Sequence, residues 1–397
     1  MSLQGNVVAA IAGLAVIAVV FQDAFETVVL PRRVTRQFRL TSLFYRYTWG
    51  RWTSIARRIG AENRRQNFLG YFGPLSLILL LGCWAFGLIV GFALVQFGLG
   101  GHMQIGNEPL TFGRILYHSG ETFFTLGYGD ILPTSGLARA LSVLESGMGF
   151  AFLGVVIGYI PVIYASFSRR EIQISMLDAR GGSPPTALEL LVRLAGAGEG
   201  ARALRFDQSV LDQVFRDWEH WAAELLESHI SYPVLSFFRS QHSNQSWLSA
   251  LTAMLDVTSL VVSGIEGIHS GQARLTFAMA RHAAIDLAQL VSSPYDPHAR
   301  NRLPEAEFEL LRAALAEHGL QLLQGEDAAA KLTRMRSLYE PYVHASSKRL
   351  LFPLPPWRHA GKKKDNWQSG PWERIIQAES LRVLGQKPAQ QRREDHF

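Results

Sequence analysis

Residues 125–130 read Thr-Leu-Gly-Tyr-Gly-Asp, and the glycine spacing suits one kind of chemistry: lining up backbone oxygens around a bare cation. Stripping water from an ion requires replacement oxygens. Successive carbonyls can all turn to one side only if the backbone alternates in hand. Positive φ is cheap only for glycine, so Gly127 and Gly129 stand where the alternation needs them. Tyr128 between them can turn its ring away from the axis and brace the run from behind. Two long apolar segments, residues 72–97 and 137–166, flank the motif. Such a setting separates it from an ordinary Gly-rich turn.

The flanking sequence carries the pattern further. The stretch GETFFTLGYGDILPTSGLAR resembles the bacterial potassium channels built on a two-helix pore module, and it lines up with them without a gap. The resemblance implies an outer helix at 72–97, a pore helix at 112–124, a filter at 125–130 and an inner helix at 137–166, within a pore domain of residues 71–168. It further implies that K⁺ is held by the hydroxyl and carbonyl of Thr125 and by the carbonyls of Leu126, Gly127 and Tyr128, with Gly129 completing the filter. Glu121 falls where the family has a carboxylate behind the filter. Asp130 falls on the closing aspartate, and the two are expected to approach each other. Gly149 falls on the inner-helix hinge. Ile157, Pro161 and Ala165 form a stripe facing the axis, an apolar constriction that closes by dewetting. Leu126 stands where Val or Ile is commoner, and Phe124 where a small polar residue is commoner. One filter per chain implies a homotetramer, because a closed carbonyl cage needs four filter strands. The alternatives are a weakly selective cation pore, or a membrane-anchored receptor or scaffold with a vestigial pore. A transporter subunit would carry several filter copies, and this chain has one.

The elements that must position this motif are legible in outline. The chain has 397 residues, 48% hydrophobic, with 39 basic and 33 acidic side chains and a net charge of +6. Its mean hydropathy of +0.08 averages a very apolar first 166 residues with a polar remainder. Residues 1–30 read as an N-terminal transmembrane helix, since 6–30 as a helix would span ~37 Å at 1.5 Å per residue. Ten arginines between Arg32 and Arg65 then face one acid, Glu62. The positive-inside rule places this basic segment, residues 31–70, in the cytoplasm. The chain is therefore expected as a multi-pass protein of the cell membrane with three spans, its N-terminus outside and its C-terminal domain cytoplasmic. Asp23 and Glu26 lie on one helix face near the cytoplasmic end. They either reach the interface and pair with Arg32 or Arg33, or serve gating. Arg33, Arg36 and Arg39 repeat every third residue, but one preceding span cannot make a voltage sensor. Alternation of arginine with Phe44, Tyr45, Tyr47 and Trp49 reads instead as an amphipathic helix on the inner membrane surface.

Residues 169–352 read as an all-helical cytosolic domain. The fold class is thus all-α: a tetrameric pore module, an N-terminal transmembrane helix and a helical cytosolic domain. Residues 247–268 are apolar enough to resemble a span, but Asp256 and Glu266 interrupt them and favour a core helix. Further helices are expected at 272–291, 304–323 and 326–351. Residues 353–397, with Pro353, Pro355, Pro356 and Lys362–Lys364, read as a basic, mobile tail. Cys83 is the only cysteine. No metal-ligand spacing, nucleophile motif or nucleotide-binding glycine run appears, and GAGEG at 196–200 lies between helices. No enzyme, no cofactor and no nucleic-acid partner is expected. The expected partners are K⁺ as permeant ion, membrane lipid, three further copies of the chain, and an unidentified cytosolic ligand.

Overall fold

A computed structural model describes residues 3–30, 39–104, 109–194, 208–241, 244–296, 300–323 and 326–359. Arg32, Arg33, Arg36, the GAGEG run and Lys362–Lys364 lie outside the described residues. The protein is an all-α membrane protein. Among the described residues, four helices are long and apolar enough to cross a membrane.

The first of these, α1 (Leu3–Val28), lies along α4 (Phe72–Gly98). Glycines let the two backbones touch, as small residues do in membranes. A Cβ at Gly13 would stand 2.5 Å from the Gly91 carbonyl oxygen, and one at Gly91 would stand 2.6 Å from the Ile17 side chain. The pair is locked near the C-terminal end of α1 by Asp23, which is fully buried. Its carboxylate accepts from the Thr41 hydroxyl at 2.6 Å, the Thr41 amide at 3.1 Å and the Trp84 indole at 3.0 Å. Asp23 therefore caps α2 (Leu40–Ala56) from a different helix, supplying the acceptor that Arg39 at the N-cap does not. Glu26 pairs with Arg39 at 3.6 Å. Arg32 and Arg33, the partners the sequence suggests for these acids, lie outside the described residues.

Tyr45 and Trp49 of α2 pack on protein, while Tyr47 is exposed. Tyr45 stacks on Phe237 at 5.2 Å, Trp49 meets Phe72 at 4.8 Å, and the Trp49 indole donates to the Arg349 carbonyl at 2.9 Å. With α3 (Glu62–Gly70), this segment joins the same hydrophobic core as the C-terminal helices. The described part of the basic segment and the C-terminal helices thus form one body.

After α4 come a short strand β1 (Met103–Gln104), the pore helix α5 (Phe112–Phe123), strand β2 (Leu132–Pro133) and the long α6 (Gly136–Gly181). Apolar periodicity fades after Ser166, yet α6 continues as one helix to Gly181, because Ile174 and Leu177 join the hydrophobic core of the C-terminal helices. That core is built by α7 (Ala187–Leu194), α8 (Gln208–Ser231), α9 (Trp247–Gly264), α10 (Gly271–Leu290), α11 (Glu305–Glu317), α12 (Glu326–Ser337) and α13 (Glu340–Leu350). Protein surrounds α9, with 94% of its apolar window buried. Its Asp256 accepts from Arg302 at 2.5 Å and Tyr339 at 2.6 Å, so α9 is the core helix the sequence indicates. Two expected helices come out shorter. Gly319, at φ +76°, ends α11 early, and Pro341 forces a new start at α13. The expected mobile tail is in part ordered. Trp357 is buried under the guanidinium groups of Arg302 and Arg336, 5.7 and 5.6 Å from its ring.

Where α6 leaves the membrane region, Arg170 clamps it to the body below. Its guanidinium donates to the carbonyls of Leu235 and Phe238, each at 3.0 Å, and binds Glu171 at 2.9 Å. His229 Nε2 lies 3.3 Å from Arg170, and its Nδ1 is 2.8 Å from the Leu225 carbonyl. Nδ1 must carry the proton to reach a carbonyl, so Nε2 is left as an acceptor for Arg170. Burial first, and then the Arg170 charge, hold the His229 imidazole well below its usual range. The unfolded chain binds this proton at about pH 6.5. The neutral histidine thus supports stability above that pH, and the support is lost as pH falls below it. Thermal unfolding of the purified protein should move to lower temperature on acidification below about pH 6.5. His229→Gln, which keeps an acceptor without a titratable ring, should flatten that dependence. An unchanged profile would contradict the neutral assignment.

Candidate ion-conducting site

The backbone of residues 125–129 alternates in hand. Thr125 has φ +56°, Gly127 +65° and Gly129 +76°, while Leu126 and Tyr128 between them are not left-handed. Glycine accepts this freely, as the sequence suggests. Threonine does not: a β-branched residue at positive φ is a steric outlier costing on the order of 1–2 kcal/mol. Strain of this kind persists where a functional geometry imposes it.

The surrounding contacts hold the strained run in place. Its inner end is continuous with α5, whose last turn closes with the Phe124 amide on the Gly120 carbonyl at 3.0 Å and the Leu126 amide on the Glu121 carbonyl at 2.9 Å. The buried Glu121 side chain reaches forward and accepts from the Gly129 amide at 3.2 Å. Asp130, one residue on, is exposed. Glu121 thus braces the backbone directly. Beyond Asp130, β2 pairs antiparallel with β1, Met103 opposite Pro133. The Thr134 amide also donates to the His102 carbonyl at 2.8 Å. This ladder ties the outer loop to the exit of the motif.

Gly149 sits at the tightest crossing. A Cβ there would overlap the Phe123 carbonyl oxygen at the end of the pore helix, so α6 can pass only if this position is glycine. The helix runs through Gly149 and Pro161 without interruption. Gly154, in contrast, has nothing within 4 Å. Ile157, Pro161 and Ala165 are all exposed along one face of α6, while Tyr159 and Ile163 on the other face are buried. Phe124, Leu126 and Tyr128 are likewise exposed, Tyr128 by 71%. The motif and the stripe are both uncovered in the protomer.

Sequence reasoning passes over a polar cluster behind α5. Glu145 of α6 is fully buried and contacts Ser119. Ser119 also reaches the Ile89 carbonyl at 2.7 Å, and His118 lies 3.3 Å from Ser142. The signal was present, because an acid within a membrane-length apolar helix is a functional candidate. Among the described residues no group of three His, Cys, Asp or Glu could hold a metal ion.

Gly149→Ala should lower thermal stability by about 1–3 kcal/mol through overpacking against Phe123, and it should impair ion conduction. Gly154→Ala, in open space on the same helix, should do neither. Equal melting temperatures for the two variants would make Gly149 a bending point alone.

Residues 77–164 match a family described as ion channel. The chain is also 24% identical over 260 residues to the uncharacterized membrane protein YdjJ of Bacillus subtilis (strain 168). That alignment covers 64% of this chain and 72% of the relative, reaching beyond the pore match. No solved structure matches the chain. The hand-alternating loop, the α5 helix before it and much of the two apolar helices around them lie within the segment that matches the ion-channel family.

Proposed function

We propose that the chain is a potassium-selective channel of the cell membrane, working as a homotetramer. The observation that carries this reading is the backbone alternation at Thr125, Gly127 and Gly129. Alternation of this kind is what turning successive carbonyls to one side requires, and a file of such carbonyls can replace the hydration shell of K⁺. The Thr125 hydroxyl adds an oxygen at the inner end. The exposed faces of Phe124, Leu126 and Tyr128 support assembly, since four such strands would cover one another around a shared axis. Exposure of Ile157, Pro161 and Ala165 supports a gate at the inner helices. The positive-inside pattern supports an exterior filter, an exterior N-terminus and a cytoplasmic C-terminal domain. Arg170 and the unbroken α6 supply a mechanical link by which that domain can bias the gate. An effector would act by binding one arrangement of the domain better than the other.

Replacing Gly127 by alanine places a Cβ at φ +65°, costing on the order of 1 kcal/mol per subunit or more. Reconstituted Gly127→Ala should still insert and assemble, yet lose its preference for K⁺ over Na⁺ in liposome flux. A weakly selective parent channel, with equal K⁺ and Na⁺ flux, would contradict the proposal. So would a Gly127→Ala variant with unaltered selectivity.

A further inference from the structure

Glu145 lies at the meeting of the outer, pore and inner helices, away from the candidate conduction path. It is fully buried, as is Ser119, and the neighbouring Gln96 and His118 are nearly so. The hydrogens in this cluster can be counted. Ser119 Oγ is 2.7 Å from the Ile89 carbonyl oxygen, which can only accept. The same Oγ touches Glu145 Oε1. A serine hydroxyl has one hydrogen and two lone pairs. If that hydrogen goes to Ile89, the contact with Glu145 is a hydrogen bond only when the carboxyl supplies a hydrogen of its own. If it goes to a carboxylate, Ser119 and the Ile89 carbonyl are left oxygen to oxygen at 2.7 Å.

The surroundings favour the neutral acid as well. Glu145 Oε2 makes no hydrogen bond among the described residues. From α4 the facing polar group is Gln96, and α4 carries no charged residue. Of the titratable groups on α5, His118 lies 3.3 Å from Ser142, Glu121 is turned to the Gly129 amide, Tyr117 is exposed, and Arg114 donates to the Pro109 carbonyl. On α6 the nearest cation in sequence is Arg139, which donates to the Pro133 carbonyl. Among the described residues no guanidinium or ammonium pairs with the carboxyl. An ionised group here would be desolvated without compensation.

We infer that Glu145 is a proton-binding site that fastens the inner helix to the pore helix: as the neutral acid it donates to Ser119, which donates in turn to the outer helix at Ile89. Release of the proton replaces this chain of two hydrogen bonds by an unpaired buried charge, and the contact between α6 and α5 opens. Ser119 is two residues before Glu121, the brace of the Gly129 amide, so the fastening acts on the same short helix that holds the candidate filter. Glu145 is a positioning residue, and its ligand is the proton. The inference rests on the channel reading for its consequence, but not for its chemistry.

The test uses full-length protein in liposomes, read by infrared difference spectroscopy and by K⁺ flux between about pH 5 and pH 9, the range that buried carboxyls reach. The parent should show a protonated-carboxyl band at neutral pH that disappears at higher pH and is absent in Glu145→Gln. K⁺ flux should change over the same interval, by at most about tenfold per pH unit for each coupled proton. Glu145→Gln, whose amide can still donate to Ser119, should lose that step and stay in the low-pH state. His118→Gln should retain it. Ser119→Ala keeps the carboxyl and removes its acceptor, so it should shift the band even if Glu145→Gln fails to fold. Identical spectra in the parent and both Glu145→Gln and Ser119→Ala would overturn the inference, as would a pH step that survives in Glu145→Gln and vanishes in His118→Gln. If the parent passes no K⁺, the channel reading fails, and the band alone still decides the protonation of Glu145.

Discussion

A backbone can offer a file of carbonyl oxygens to one side only by alternating its hand, and alternation is unfavourable for every residue but glycine. The structure meets this constraint at Thr125, Gly127 and Gly129. Two of these positions are free of strain, and the third is a β-branched residue held against its preference. Such a conformation survives only if its surroundings over-determine it. Much of the pore domain can be understood as that surrounding. Glu121 fixes the outer end through the Gly129 amide, and the last turn of α5 fixes the inner end. Gly149 lets α6 press on the Phe123 carbonyl, and the β1–β2 ladder fixes the exit.

The remaining helices hold this assembly from two directions. Within the membrane region α1 lies against α4 through glycine contacts, and its buried Asp23 reaches both Trp84 and the start of α2. Below, α2, α3 and the C-terminal helices share one core, to which α6 is clamped by Arg170. The result is a protomer whose candidate filter and inner-helix stripe are uncovered. Their burial is left to other copies of the chain in the proposed tetramer.

What was legible in the sequence was local. Glycine spacing, membrane-length apolar runs and the acids that interrupt residues 247–268 all act within one helix or loop, and each points to the element found. What was not legible depends on contacts between distant positions. Asp23 is satisfied by Trp84, 61 residues away, and Trp49 by the Arg349 carbonyl, 300 residues away. No periodicity reports such a partner, so Tyr45 and Trp49 of α2 read as lipid-facing when they pack on Phe237 and Phe72. Pro353 to Trp357 has the composition of a disordered tail, yet buried cations of the C-terminal helical core give Trp357 a place to dock. Gly149 matched a family hinge by position, while its tight crossing with Phe123 emerged only from the packed helices.

The central claim is that the hand-alternating segment selects K⁺. It is tested most directly by the reversal potential of the purified protein in a planar bilayer with K⁺ on one side and Na⁺ on the other. The account predicts a current that reverses near the K⁺ equilibrium potential. Reversal near zero, or at a potential set by Na⁺ or the anion, would contradict it.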